Sequence, residues 1–403
     1  MSGDPTMMSA RAMIMTEVEA SPARWSGVFA MSLCVFALIA SEFMQVSLLT
    51  PMAADLHVSE GWAGYGIAIS GTFAVITSLS ISALAGSMNR KTVLLALTVV
   101  MVISGALVAT APNYPVYMFG RALIGVVIGG FWSMSAATAM RLVPIAQVPR
   151  ALSIFNGGNA LATVIAAPLG SYLGAVIGWR GAFFCLIPVA AIAFIWQWVS
   201  LPAMCPVERG NGSGNVFRLF KRRPVALGMA ACAAFFMGQF ALFTYVRPFL
   251  ETVTRVSVST LLLVLLAIGV AGFIGTVMIG TFLKRGLYRT LIVIPVLMAT
   301  IALTLIPFGA TLGIVIVLLG LWGLLATAAP VGWWSWIAEV LPADAEAGGG
   351  LMVAVVQLAI ASGSTLGGML FDRSGYQGTF VASAAVLLLG ALLTFLTSRA
   401  DAS

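Results

Sequence analysis

Apolar residues occur along this chain in long uninterrupted blocks, which short polar breaks rich in Gly, Pro and charged residues separate. Blocks of about 20 residues have the length of a helix that crosses a bilayer. The pattern predicts an all-α membrane protein with twelve transmembrane helices, over 26–50, 62–85, 92–111, 115–140, 151–176, 181–201, 224–249, 258–283, 290–309, 312–339, 349–371 and 378–397. The composition agrees, since 8% of the residues are charged and soluble domains carry roughly 25%.

The blocks fall into two halves of six, related by pseudo-symmetry. The longest break, 202–223, is rich in Gly and ends in basic residues, which is typical of a flexible linker. One spacing along the chain separates Pro51 from Pro248 and Gly178 from Gly375, which indicates a six-span repeat with a substrate cavity between the halves. The predicted organisation is a tail over 1–25, a bundle over 26–201, a linker over 202–223, a bundle over 224–398 and a tail over 399–403.

Lys and Arg predict the orientation. Most of them lie in the tails, in the linker and in the loops after even-numbered spans. The positive-inside rule therefore places both termini in the cytoplasm, and we expect a multi-pass protein of a bacterial inner membrane. The net charge of +7 does not form a continuous basic face, so we expect a lipid bilayer and no nucleic acid as partner.

The chain lacks the residues that enzyme and metal chemistry require. It has a single histidine, His57, four cysteines without metal-ligand spacing, and no Gly-Lys-Ser/Thr loop for a nucleotide phosphate. We therefore expect no catalytic residue, no metal and no cofactor. Transport would then draw its energy from an ion gradient or from the gradient of the solute itself. We expect the protein to be a monomer.

Glu42 is the only acidic residue well inside an apolar block, in the first predicted span. A charged side chain at such depth is costly and marks a functional site by default. Counted from the same membrane face at 1.5 Å per residue, Glu42 lies about 12 Å deep and Arg121 about 9 Å deep. We predict that the two side chains pair and form a proton-coupling site. The alternative is a static ion pair that fixes two helices together.

Neutral polar and aromatic residues on the spans form a second set of candidates. The repeat spacing aligns Gln239 with Glu42, so one half carries an ionisable group where the other carries a neutral amide. Aromatic faces with amides suit a planar, neutral, hydrogen-bonding solute. The predicted substrate-binding residues are Phe43, Gln45, Trp132, Ser135, Asn156, Asn159, Gln239, Tyr245, Arg247 and Gln357. Each has an alternative role in an interhelical hydrogen bond, and Arg247 has one as a snorkelling side chain.

Two further groups of residues suit helix movement. Gly170 and Gly174 follow Pro168 in the fifth span with the small-xxx-small spacing that lets helices approach closely, for packing alone or for a rocking interface. Arg90 and Lys91 lie in the loop after the second span and are predicted gating residues.

These segments resemble the major facilitator superfamily, in its twelve-span drug:proton antiporter branch. The similarity lies in residues 42–51, in the Arg/Gly motif over 121–125, and in Ala167-Pro168-Leu169-Gly170 with Gly178-Trp179-Arg180. In the family, the loop after the second span carries the motif Gly-x-x-x-Asp-Arg. Here that loop reads Gly86-Ser-Met-Asn89-Arg90, so Asn89 stands before the arginine where the motif has its acid.

Within that branch the chain is similar to the purine ribonucleoside efflux pumps from Trp25 onward, notably over 129–135, 243–248 and 330–333. The resemblance implies export of small neutral nucleosides such as inosine and guanosine in exchange for protons, by alternating access. Export of sugars or of drugs such as chloramphenicol is the alternative within the family. A membrane receptor without transport is the alternative from another class.

Overall fold

Helices make up almost all of the described chain. The computed structural model describes residues 23–84, 88–144, 147–204, 216–341 and 345–401. Gly86, the tail before residue 23 and half of the predicted linker (205–215) lie outside these ranges. The helices are α1 Trp25–Ser47, α2 Leu49–Asp55, α3 Glu60–Leu84, α4 Arg90–Ala109, α5 Tyr114–Met140, α6 Val148–Phe184, α7 Leu186–Ser200, α8 Arg223–Phe243, α9 Val246–Phe249, α10 Val258–Arg285, α11 Leu287–Phe308, α12 Leu312–Val340 and α13 Ala345–Asp401.

Ten stretches of the described residues are long and apolar enough to cross a membrane. Two of them, Arg150–Ser200 and Gly348–Asp401, have 51 and 54 residues. Helices of that length would extend over about 75 Å, far more than the roughly 30 Å of a bilayer core, so each must cross twice. The chain reverses at Gly178 and Gly375, where φ is +75° and +68°. Glycine adopts this backbone region without the steric penalty that a Cβ imposes. Counting both reversals, the described chain forms twelve crossings.

The twelve-helix fold of the sequence prediction is confirmed, and the span bounds agree to within a few residues. The structure adds a break after the first span, where α1 ends at Ser47 and α2 continues from Leu49. The corresponding place in the other half has the short α9 and a π-helical turn over Leu250–Thr254. These breaks leave helix-end carbonyl groups without partners inside their own helix.

The second half packs around one large apolar core, which also includes Val46, Ile67 and Ala167 of the first half, and the first half packs around two others. Two main helix pairs join the halves: α3 against α13, and α6 against α10. Glycines permit both contacts. A Cβ at Gly71 would lie 2.9 Å from the Ala361 Cβ, and one at Gly269 would lie 2.8 Å from the Val164 Cα. The loops 56–59, 110–113, 255–257 and 309–311 share one face with Gly178 and Gly375, which we call the Asp55 side. The opposite face, with residues 88–89, 141–144 and 201–204, is the Arg90 side.

Candidate transport site

A buried ion pair joins α1 to α5. Arg121 donates from Nη2 to Oε1 of Glu42. The Arg121 side chain is 0% exposed and the Glu42 side chain 23%. Removing a guanidinium from water is costly unless its donors find partners. The ion pair meets this requirement in part, and neighbouring helices supply the rest.

Acceptors from α1 and α3 satisfy the remaining donors of Arg121. Its Nε donates to the Gly66 carbonyl at 3.3 Å, and its Nη1 donates to the Ser41 carbonyl at 3.4 Å. The Ser70 hydroxyl accepts from Nη2 at 3.3 Å, donates to the Ile67 carbonyl of its own helix at 3.0 Å and lies 3.4 Å from Glu42 Oε1. The ion pair therefore belongs to a polar network that α1, α3 and α5 share.

Glycine at position 125 brings the α3 backbone within reach of Arg121. Gly125 lies one helical turn after Arg121, and a Cβ there would collide with the backbone of Ser70. Helices α3 and α5 can approach only because that atom is absent. The spacing of the Arg/Gly motif thus has a physical reason: glycine allows the contact through which the arginine reaches the Gly66 carbonyl and Ser70.

Beside the ion pair, a cavity of about 40 Å³ lies between the two halves. Its walls are Phe43, Thr163 and Ala167 from the first half, and Gln239, Phe240, Phe243, Leu265, Ile268, Gly269, Trp322, Gly323, Ala326 and Thr327 from the second. Phe43 and Phe243 meet edge to face across the interface, with ring centroids 5.9 Å apart. A cavity of this size holds a few water molecules, so a nucleoside-sized solute requires the halves to separate.

Two polar atoms of the cavity residues are buried without a hydrogen-bond partner: Oε1 of Gln239 and Nε1 of Trp322. The first is an acceptor and the second a donor. Since Phe43 follows Glu42 directly in α1, the cavity wall and the ion pair belong to the same helical turn. A solute in the cavity and a proton on Glu42 would therefore act on one short segment of α1.

The halves are fastened together on the Asp55 side by charged groups at helix ends. Arg247 donates to the Ser47 carbonyl, the last of α1, and its Nε lies 2.8 Å from Glu251 Oε1. The Asp372 carboxylate of α13 accepts from the Ser59 hydroxyl and, at 3.1 Å, from the Gly61 amide at the start of α3. A cation thus meets a helix C-terminus and an anion meets a helix N-terminus, which is the favourable polarity at both.

Tyr245 fills the space beside these contacts. It is 0% exposed and donates from its hydroxyl to the Ser364 carbonyl at 2.9 Å. A Cβ at Gly64 in α3 or at Gly368 in α13 would collide with the Tyr245 hydroxyl. The tyrosine thus lies in a slot that two glycines from different halves create, and the Asp55 side of the molecule is closed.

Asp55 and Arg180 form an exposed ion pair on the same side, outside the spans. Trp179 Nε1 also donates to Asp55, at 3.0 Å. Partial burial raises the pKa of Asp55, but the hydrogen bonds from Arg180 and Trp179 and the positive charge of Arg180 outweigh this and lower it. The reversal at Gly178 is thereby tied to the end of α2.

The structure distributes the predicted substrate residues over several places. Phe43 and Gln239 line the cavity, whereas Tyr245 and Arg247 lie in the closed Asp55 side. Gln45 is buried and donates to the Ala63 carbonyl at 3.4 Å. The others lie elsewhere on the spans: Ser135 buried with an unpaired hydroxyl, Trp132 packed on Phe155, Asn156 exposed, and Asn159 and Gln357 half-buried.

The predicted gating and packing residues are placed as follows. A Cβ at Gly170 would touch Ser47 and Met44, and one at Gly174 would touch Leu48, so both face α1. Pro168 lies inside α6. Arg90 and Lys91 begin α4, where Asn89 accepts from the Lys91 amide at 3.0 Å. The residue that replaces the family's acid thus serves as a helix cap.

Several residues of the site were not among the sequence candidates, including Ser70, Trp322, Glu251 and Asp372. Trp322 lies within an unbroken apolar block, where its indole N–H gives no signal. Glu251 and Asp372 lie at the ends of predicted spans, where charge is ordinary. The closeness of Arg247 to Glu251, at the helical i,i+4 spacing, was a usable signal for the ion pair.

The chain belongs to the major facilitator superfamily, whose model matches residues 31–349. The structure is similar to that of a bacterial homolog of the human lysosomal transporter Spinster, with a TM-score of 0.73 and 17% identity over 94% of this chain and 98% of that one. It is also similar to the nucleoside transporter NupG, with a TM-score of 0.72 and 14% identity over 92% and 98%. The protein is therefore a multi-pass membrane transporter and not an enzyme.

Two relatives are similar in sequence over nearly the full length. The transcription regulatory protein OpdE of Pseudomonas aeruginosa PAO1 is 67% identical over 94% of this chain and 95% of that protein. The purine ribonucleoside efflux pump NepI of Salmonella typhimurium LT2 is 41% identical over 92% of this chain and 93% of that protein. The likeness to a purine ribonucleoside pump that the sequence motifs predicted is confirmed.

Proposed function

We propose that the protein exports purine ribonucleosides such as inosine and guanosine in exchange for protons. The observation that carries the proposal is the cavity between the halves, which combines aromatic walls with an unpaired amide oxygen and begins one residue after Glu42. Such a lining suits a planar neutral solute with hydrogen-bonding edges. The 41% identity to a purine ribonucleoside efflux pump supports the same solute class.

In the proposed cycle the Arg90 side faces the cytoplasm, as the distribution of Lys and Arg indicates. The closed Asp55 side then faces outward, and solute enters the cavity from within. Glu42 is ionised while it pairs with Arg121. A proton arriving from outside neutralises the carboxylate and weakens its hold on Arg121, and release of that proton to the cytoplasm accompanies loading of the next solute.

Counterflow in proteoliposomes tests the solute class. Vesicles loaded with unlabelled inosine should take up labelled inosine, and guanosine should compete, whereas arabinose and chloramphenicol should not. If arabinose or chloramphenicol competes as well as inosine, the protein is a sugar or drug exporter. Absence of counterflow with every nucleoside would overturn the proposal.

A second candidate function, an effect on transcription, is favoured by the 67% identity to a protein named for that role. We propose that such an effect is indirect and follows from the internal concentration of the exported solute. Chromosomal Glu42→Gln should then change the same transcripts as a deletion, whereas Glu339→Gln, at an exposed position near the end of α12, should change none. Normal transcription in the Glu42→Gln strain would contradict the indirect route.

A further inference from the structure

Trp322 presents a donor that the fold itself does not use. The side chain is 0% exposed in the middle of α12, and its Nε1–H has no partner. Burying a donor unpaired disfavours the folded state by roughly one to two orders of magnitude in the equilibrium constant. Trp322 is one of the residues around the cavity between the halves, which a solute enters when the halves separate.

A buried acceptor beside the same cavity also lacks a hydrogen-bond partner. Oε1 of Gln239 in α8 has no partner either. Around both atoms most of the wall is apolar, with Phe240, Phe243 and Leu265 from the same half, and Thr327 of that half adds a hydroxyl. The Thr163 hydroxyl, from the other half, donates to the Asn159 carbonyl of its own helix at 2.8 Å. The second half therefore offers one unpaired donor and one unpaired acceptor against a mostly apolar background.

Glycine explains why Trp322 can occupy this place. Gly323 follows it in α12, and a Cβ there would collide with the Ile268 carbonyl of α10. The two helices are therefore in backbone contact beside the indole, and Ile268 lines the cavity together with it. Because α10 and α12 cannot separate locally without losing this contact, the indole is held at a fixed position against the cavity.

We propose that Trp322 and Gln239 form a recognition pair for a solute edge that carries a hydrogen-bond acceptor next to an N–H donor. The Trp322 N–H donates to the solute's acceptor, and Gln239 Oε1 accepts from its N–H. The –CO–NH– edge of a 6-oxopurine has this arrangement. The inference rests on the proposed export of purine ribonucleosides and names the residues that determine which of them bind.

Matched pairs of solute and variant test the two hydrogen bonds separately, by competition in the inosine counterflow assay. 6-Thioinosine replaces the carbonyl oxygen by a weak sulfur acceptor, and 1-methylinosine lacks the N–H. The wild type should prefer inosine to each by roughly 10-fold or more. Trp322→Phe should lose the discrimination against 6-thioinosine only. Gln239→Met should lose the discrimination against 1-methylinosine only.

Trp333→Phe is the control, because Trp333 lies on the same helix, is 2% exposed, and also has an unpaired Nε1 but does not line the cavity. It should keep both preferences. If Trp322→Phe or Gln239→Met keeps the discrimination of the wild type while inosine counterflow persists, the recognition pair is wrong and nucleoside export stands. If the wild type shows no nucleoside counterflow, the proposed function and the pair fall together. Should Trp322→Phe not fold, Gln239→Met decides.

Discussion

Replacing Glu42 by glutamine removes one charge from a buried pair and leaves the other without a counter-ion. Arg121 is 0% exposed, and its guanidinium cannot release a proton. Its hydrogen bonds to the Gly66 and Ser41 carbonyls remain, and the introduced amide still offers an acceptor. The loss is therefore electrostatic, with little change of shape.

The expected cost follows from the burial of the two partners. Removing one member of a fully buried ion pair costs about 3–5 kcal/mol of unfolding free energy. The Glu42 side chain keeps 23% exposure, so water already weakens the pair and we expect about 3 kcal/mol, the lower end of that range. Arg121→Met should cost less than Glu42→Gln, because a carboxyl group left alone can take up a proton and become neutral.

A double-mutant cycle measures the pair directly, through the free energy of unfolding in mixed micelles. The double variant Glu42→Gln/Arg121→Met should cost less than the sum of the single variants, with a coupling of about 1–3 kcal/mol. The exposed control Glu339→Gln should change stability by no more than about 0.5 kcal/mol. Additive costs for Glu42 and Arg121 would show that the contact does not stabilise the fold and would refute this reasoning.

Three further predictions concern the Asp55 side. Asp372→Asn should weaken the cap on α3 by about 0.3–1 kcal/mol. It should also speed the chemical labelling of a cysteine introduced on the Asp55 side, and unchanged labelling would show that this cap does not hold the halves together. Gly368→Val should displace the Tyr245 hydroxyl and slow inosine counterflow several-fold, and normal counterflow would show that the slot is not needed. Because the pKa of Asp55 is lowered by Arg180, its contribution to stability should be present above about pH 4 and lost at lower pH. Melting temperature against pH should therefore fall less steeply in Asp55→Asn, and an identical acid slope would contradict this.

The spans and their pairing into halves could be predicted because the bilayer imposes one length on every helix. The repeat at Gly178 and Gly375 marked both chain reversals, since a positive φ restricts those positions to glycine in each half. Glu42 and Arg121 could be matched by depth alone, because a helix rises by a constant 1.5 Å per residue. Helix rise and the backbone preference of glycine depend on local sequence, so these features could be predicted before the structure.

Contacts between the halves could not be predicted in the same way. Tyr245 looked like a substrate residue, but its place in a slot between Gly64 and Gly368 depends on how two separate bundles dock. Trp322 was not predicted as a site residue, because whether its indole N–H has a hydrogen-bond partner depends on residues far away in the chain. Amides such as Gln45 and Gln239 read alike in the sequence, and both have an unpaired oxygen; only packing shows that Gln45 donates to the Ala63 carbonyl whereas Gln239 lines the cavity.

Accumulation of inosine driven by a proton gradient tests the central claim most directly. In everted membrane vesicles with an acidic interior, the wild type should concentrate labelled inosine above the level of the medium, and a protonophore should abolish this. Glu42→Gln should still exchange inosine in counterflow but should not concentrate it, because its amide cannot carry the proton. If Glu42→Gln concentrates inosine as the wild type does, Glu42 is not the coupling residue and the proposed proton site is wrong.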